Sequence, residues 1–227
     1  MEIVINFSGG KDSTAMLAWL CDHYPDHTKH VIFADTGWEH PGTEEWCRGL
    51  VAGFGLELHV VRSSTKNFLT MSEKRGMFPG MQQRQCTSDL KRDPIMKWIR
   101  NNVKDKVVMN CSGMRSEESP DRKKLPRLRR NKRECNSRRT IWDWCPIKDW
   151  TIDQVFEYHK EKGLVLHPVY KYLRRFSCRV CIFMTLQDLR QVQIHDPEAI
   201  QIIHNLEQKI GFSFKPEGYL KELLNLQ

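Results

Sequence analysis

The alternation of short apolar runs with helical patterns constrains this chain most. The run "EIVINF" (2–7) reads as a buried strand, and in "DSTAMLAWLCDHY" (12–24) the residues Ala15, Met16, Trp19 and Leu20 fall at helical spacing. "HVIFAD" (30–35) is a second strand, "PGTEEWCRGLVAGFG" (41–55) a helix closed by glycines, and "LELHVV" (56–61) a third strand. Further on, "DPIMKWIRNNV" (93–103) is predicted helical, with Pro94 tolerated in its first turn, and "KVVMNC" (106–111) is the next strand. Strands joined through helices pair in parallel, so the pattern specifies an α/β protein. Thr151 is the expected N-cap of a helix that Gly163 ends, and helices over 185–195, 197–210 and 216–225 follow.

At 227 residues the chain is long enough to bury a core without disulfide staples. It shows no basic leader and no apolar stretch approaching a membrane span, so a cytoplasmic, membrane-free protein is expected. In that setting the eight cysteines read as thiols or metal ligands. Cys178 and Cys181 form the one CxxC pair, while Cys21 and Cys47 sit in helical patterns and are expected in the core. The charge is concentrated. Residues 122–139, "RKKLPRLRRNKRECNSRR", hold ten Arg or Lys against one acid, Glu134, a sum of +9 in a chain whose total is +8.

"SGGKDS" (8–13) occupies the turn from the first strand into the first helix, where an open α/β sheet presents backbone N–H groups and a helix N-terminus to phosphate. Its glycines let the backbone close around an anion. Lys11 can neutralise phosphate charge, and Asp12 can hold the Mg²⁺ that accompanies a triphosphate. The loop is not the common P-loop, which would need Gly at Ile5 and Ser or Thr at Asp12.

These residues resemble the pyrophosphate-binding loop (PP-loop) of the adenine-nucleotide α-hydrolase superfamily, and the chain is most similar there to the phosphoadenosine phosphosulfate (PAPS) reductase family. "ADTGWEHPGT" (34–43), "CTSDLKRDP" (86–94), "GMRSEESPDR" (113–122), "PIKDWTIDQV" (146–155), "HPVY" (167–170) and "CRVC" (178–181) resemble the family's further segments in order. The resemblance implies a Rossmann-like, HUP-type parallel five-stranded sheet flanked by helices. It implies a nucleotide-binding domain over 1–184, with a basic insertion at 120–140, and a helical C-terminal extension over 185–227 packed on the same domain. It further implies that Ser8, Gly9, Gly10, Lys11, Asp12 and Ser13 hold the phosphates of ATP or a related adenine nucleotide. Asp35, Thr36 and Gly37 would lie near the adenosine and Arg115 near the α-phosphate, with Lys11, Asp12 and Arg115 as the catalytic set. Local readings compete, since Asp35 also suits a turn and Arg115 a surface salt bridge.

The chain departs from the reductases in offering no cysteine after Cys181, where they place a nucleophilic thiol. Aligning Lys91 and Pro94 with the Lys and Pro of the iron–sulfur members puts Cys86 first in their Cys-Cys pair and Thr87 second. Three cysteines then match, Cys86, Cys178 and Cys181. Three thiolates on a [4Fe-4S] iron–sulfur cluster leave one iron open for sulfide. The alternatives are a fourth ligand from Cys145, Cys111 or a histidine, a Zn²⁺ site, or unliganded thiols.

Three functions remain in competition. The first is an ATP pyrophosphatase that activates a substrate, a nucleic acid among the candidates, for sulfur transfer with a sulfur-donor protein as partner. The second is a reductase of adenylyl sulfate or phosphoadenylyl sulfate that makes sulfite. The third is a non-catalytic nucleotide- or nucleic-acid-binding adaptor. Segment 122–139 reads either as a solvated, mobile loop or as an electrostatic clamp for DNA or RNA, with backbone-directed binding. The sequence does not give the oligomeric state.

Overall fold

The computed structural model describes residues 1–176 and 178–226. The chain divides into two compact units, the first from Met1–Ala34, Gly42–Val61 and Ile95–His167, the second from Asp35–Pro41, Arg62–Pro94 and Pro168–Gln227. The helical tail belongs to a unit that also includes 35–41 and 62–94, because its apolar faces pack with Trp38, Phe68, Met71, Phe78 and Leu90.

In the first unit β1 (Glu2–Phe7) leads into α1 (Lys11–His23), β2 (Lys29–Asp35), α2 (Thr43–Ala52) and β3 (Leu58–Arg62). In the second, α3 (Phe68–Arg75) precedes a single turn, α4 (Gln85–Thr87), and a π-helical turn over Ser88–Arg92; α5 (Asp93–Asn102) follows and belongs from Ile95 on to the first unit. The chain then adds β4 (Val107–Ser112), α6 (Pro120–Lys124), β5 (Leu128–Arg130), β6 (Thr140–Trp144) and α7 (Ile152–Glu161). The tail supplies α8 (Leu186–His195), α9 (Pro197–Ile210) and α10 (Leu220–Leu224). The sheet has six strands in the order β3-β2-β1-β4-β6-β5. β1 pairs in parallel with β2 and β4, and β4 with β6, whereas β5 joins β6 antiparallel. Five strands were expected, and the sixth comes from the basic segment.

Side chains alternate across the sheet with period two, and each face builds its own core. Ile3, Ile5 and Phe7 pack with Met16, Leu17 and Leu20 of α1 and with Cys47 and Val51 of α2. Val4, Ile32, Val108 and Ile141 pack on the other face with Ile95, Met96 and Ile99 of α5. Strand order reverses about β1, whose neighbours are β2 and β4, so the β1/β4 edge is the switch point at which such sheets take ligands.

Residues 122–139 hold the end of α6 and the strand β5, with turns and irregular stretches elsewhere. Ser119 caps α6, β5 pairs with β6 from Leu128↔Trp144 to Arg130↔Trp142, and much of the charge is met locally. Arg122 pairs with Glu118, Arg127 lies 3.8 Å from Asp149, and Arg129 lies 3.3 Å from Asp143. Arg139 donates to the carbonyls of Ile99 and Val103 at the end of α5. These acids lie outside the segment, which is why counting charge within it overstates its free positive charge. Lys123, Arg130, Lys132 and Arg138 have no acidic partner among the described residues.

Candidate functional site: a phosphate loop and a thiol cluster

The loop after β1 is pinned from several sides. Gly9 has φ +74°, a conformation that glycine adopts without steric cost, and Gly10 opens α1 with no side chain capping its first turn. Ser13 Oγ donates to the Gly10 carbonyl at 2.9 Å and receives the Ser8 N–H at 3.3 Å, closing the loop on itself. Trp46 Nε1 of α2 donates to the Gly9 carbonyl at 3.3 Å, and the buried His159 of α7 donates through Nε2 to the Lys11 carbonyl at 2.7 Å. Gly113, after β4, crosses so close that a Cβ there would lie 2.9 Å from the Asp12 carbonyl oxygen and 3.0 Å from Ser13 N.

Charge is concentrated here. Lys11 and Arg115 are 7 % and 4 % exposed, and both serve Asp12: Lys11 Nζ lies 2.8 Å from Oδ2 and Arg115 Nε 2.6 Å from Oδ1. Burial pushes the Asp12 carboxyl up, but the two cations outweigh it and hold it below the ordinary range. Arg115 also contacts Glu117 at 2.8 Å and donates to the Trp150 carbonyl at 3.2 Å. Asp12 bridges two buried cations, and a polyphosphate would compete for them with Asp12 and, at Arg115, with Glu117. Mg²⁺ commonly binds through one carboxylate plus substrate phosphates, a donor set that Asp12 fits.

A polar row that the sequence reading did not single out crosses the β1/β4 edge. Asn6 Nδ2 donates to Asn110 Oδ1 at 2.8 Å and to the Cys111 carbonyl at 2.7 Å, and Asn110 Nδ2 donates to Asp143 Oδ1 at 2.9 Å. Asn131 and Arg129 complete the coordination of Asp143. The available signal was a lone Asn in each of two otherwise apolar strands.

The second unit holds Asp35, Thr36 and Gly37. Asp35 accepts the Gly37 N–H at 2.7 Å and faces Arg62 at 2.5 Å, so its carboxylate fixes its own turn, as the local reading had it. Burial raises its carboxyl, and these donors bring it below the ordinary value. Glu39 accepts from Thr36 N at 3.0 Å and from Trp38 N at 3.1 Å, and its burial pushes its carboxyl up.

Cys86, Cys178 and Cys181 belong to the same unit. They are close enough to interact electrostatically with one another and with Lys91, whose Nζ stands 4.0 Å from Cys178 Sγ and 4.0 Å from Glu39. Burial pushes the Cys178 thiol up to about 12 against the pull of Lys91, and burial with the Cys181 charge pushes Cys86 up. The ammonium of Lys91 is held above its ordinary value, first by Cys178. Among the described residues no group of three His, Cys, Asp or Glu is arranged to hold a metal ion. A single zinc ion needs its sulfurs about 3.8 Å apart, from Zn–S bonds of about 2.3 Å, whereas a cluster spreads its thiolates over separate irons. Thiolates are donors that both kinds of centre use, and the three cysteines supply them. Cys145 belongs to the first unit, where its sulfur is 3.4 Å from Ser112 Oγ.

The phosphoadenosine phosphosulfate reductase domain matches residues 2–182. The chain belongs to this family. The "uncharacterized 37.8 kDa protein in gpa 5′ region" of Escherichia phage 186 is 25% identical over 92% of this chain and 75% of its own length. A phosphoadenosine 5′-phosphosulfate reductase of Buchnera aphidicola is 27% identical over 74% of the chain, which spans 64% of that enzyme. Among solved structures, a PAPS reductase from Candida auris in a phosphate complex superposes with TM-score 0.53 at 18% identity, over 75% of this chain and 77% of that one. These matches bear out the family reading and the α/β fold. No helix among the described residues of this PAPS reductase-family chain is long and apolar enough to cross a membrane.

Proposed function

We propose that this chain is an ATP pyrophosphatase that activates an acceptor oxygen for replacement by sulfur. The acceptor oxygen attacks the α-phosphorus of ATP, pyrophosphate leaves, and a sulfur nucleophile at the sulfide level then displaces AMP from the acceptor. Arg115 neutralises charge at the α-phosphate. Lys11 exchanges its contact with Asp12 for the departing pyrophosphate, and Asp12 is freed to take Mg²⁺ with the phosphates. Ser8, Gly9, Gly10 and Ser13 shape the cradle. Asp35, Thr36 and Gly37 form the turn proposed to meet the adenosine. An iron–sulfur cluster on Cys86, Cys178 and Cys181 would supply an iron with an open position for sulfide.

The observation that carries this reading is the set of three cysteines, Cys86, Cys178 and Cys181, gathered about Lys91. A nucleic-acid acceptor is favoured by the cations of the α6–β5 segment that lack acidic partners, Lys123, Arg130, Lys132 and Arg138. The test is anaerobic purification with iron and acid-labile sulfide analysis, for the parent and for Cys86→Ser, Cys178→Ser and Cys181→Ser. Near-stoichiometric cluster in the parent, absent from each variant, is expected; zinc or no metal in the parent overturns the cluster.

A second reading, reduction of adenylyl or phosphoadenylyl sulfate to sulfite, is favoured by the family match and by the identity to curated reductases. Sulfite release with a thiol donor distinguishes it.

A further inference from the structure

The two stretches that carry the thiols also carry an exposed pair with no evident part in holding them. Phe183 stands two residues after Cys181 and is 43 % exposed, an unusual position for a large ring in a unit that buries Ile182 and Met184 on either side. The exposed Arg84, two residues before Cys86, sets its guanidinium carbon 5.5 Å from the centre of that ring. Arg84 makes no ion pair among the described residues. Residues 168–184 carry Lys171, Arg174, Arg175 and Arg179 and no acid, interleaved with Tyr170, Tyr172, Phe176 and Phe183. Arg179 is tied to Asp196 at 2.6 Å and to Glu198 at 2.5 Å, and Lys171 and Arg174 are exposed.

We propose that Phe183 and Arg84 form a stacking platform for an unpaired nucleobase, placing a single-stranded stretch of a nucleic-acid acceptor beside the thiol cluster. The inference rests on the nucleic-acid reading above and adds that the reacting nucleotide is extruded or unpaired. An aromatic face and a guanidinium plane both stack on any base, and cations beside them meet the phosphates. A duplex buries its bases in the stack and offers nothing for the ring to contact. One residue separates each half of the pair from a thiol, so a base held there lies within a few side-chain lengths of the cysteines.

The experiment uses the full chain, a single-stranded RNA oligonucleotide carrying one 2-aminopurine, and a blunt RNA duplex of equal length. Fluorescence reports stacking and anisotropy reports affinity. Phe183→Leu keeps the apolar bulk and removes the π-face, Phe183→Trp restores it, and Arg84→Gln removes the guanidinium from an exposed position with little risk to folding. The expected result is quenching on binding by the parent, single-strand affinity roughly 10- to 100-fold weaker in Phe183→Leu and weaker in Arg84→Gln, recovery in Phe183→Trp, and duplex affinity common to all. If the parent binds nucleic acid but Phe183→Leu and Arg84→Gln match it on the single strand, the platform is wrong and the nucleic-acid reading stands. If the parent binds neither probe, both fail. If Phe183→Leu alters self-association in sedimentation and leaves oligonucleotide affinity unchanged, the surface is a protein contact and the platform is overturned.

Discussion

Gly113→Ala perturbs the loop without touching a charged group. The added Cβ would sit 2.9 Å from the Asp12 carbonyl oxygen, 3.0 Å from the Asp12 carbonyl carbon and 3.0 Å from Ser13 N. Ordinary contact begins at 3.4 Å, so the backbone must separate by about 0.5 Å, and no flexible side-chain end is there to yield. Overpacking of this kind costs about 1–3 kcal/mol, and a chain of this size loses roughly 2–4 °C of melting temperature per kcal/mol, giving a fall of about 2–12 °C. The displaced atoms belong to the residues that carry Asp12 and open α1. ATP affinity should therefore fall with stability, by about tenfold or more, since small misplacements of positioning groups are costly. Gly49→Ala in α2 is the internal contrast: nothing lies within 4 Å of its added Cβ, and alanine favours the helix by about 0.5–1 kcal/mol. Thermal unfolding and calorimetric ATP titration read both variants. If Gly113→Ala melts and binds ATP as the parent does, the close approach is not what fixes the loop.

Lys11→Ala and Asp12→Ala should each abolish nucleotide turnover while circular dichroism stays unchanged; turnover at the parental rate in both would remove the loop from the chemistry. Asp196 is held below its ordinary value first by its hydrogen bonds to Arg179, so the stability it contributes is complete above its unfolded value near 3.9 and is lost as pH falls through the lower folded value. The gap in urea midpoint between the parent and Asp196→Ala should be full at pH 7 and close below about pH 4; an equal gap at pH 3 contradicts the pairing. Replacing Lys123, Arg130, Lys132 and Arg138 with Ser should weaken nucleic-acid binding and flatten its salt dependence by a slope of up to about 0.9 for each phosphate no longer neutralised. Replacing the acid-paired Arg127 and Arg129 should instead lower stability more than it lowers binding.

The elements that were legible in the sequence are those whose pattern is local. β1, α1 and the tail helices α8 and α9 fall within a residue or two of their expected limits, because apolar periodicity, caps at Thr151, Thr185 and Asp196, and closing glycines are all written in adjacent residues. α3 escaped the reading, although Asn67 and Thr70 form a capping box and Gly76 closes the helix, because its eight residues bury only Phe68, Met71 and Ser72. β5 escaped because a strand of three exposed residues has no hydrophobic alternation, and only pairing with β6 reveals it. In the candidate site the contiguous loop 8–13 was readable, whereas the contacts of Arg115 with Asp12 and of Lys91 with Cys178 span 103 and 87 residues and needed the fold. The row Asn6, Asn110 and Asp143 likewise comes from three strands in register.

The most direct test of the proposed chemistry is pyrophosphate release from ATP by the anaerobically purified full chain, measured with and without total tRNA or single-stranded DNA as acceptor. The account predicts release that requires Mg²⁺, rises with acceptor, and is matched by AMP; no release from ATP, alongside sulfite formed from adenylyl or phosphoadenylyl sulfate and a thiol donor, would contradict it.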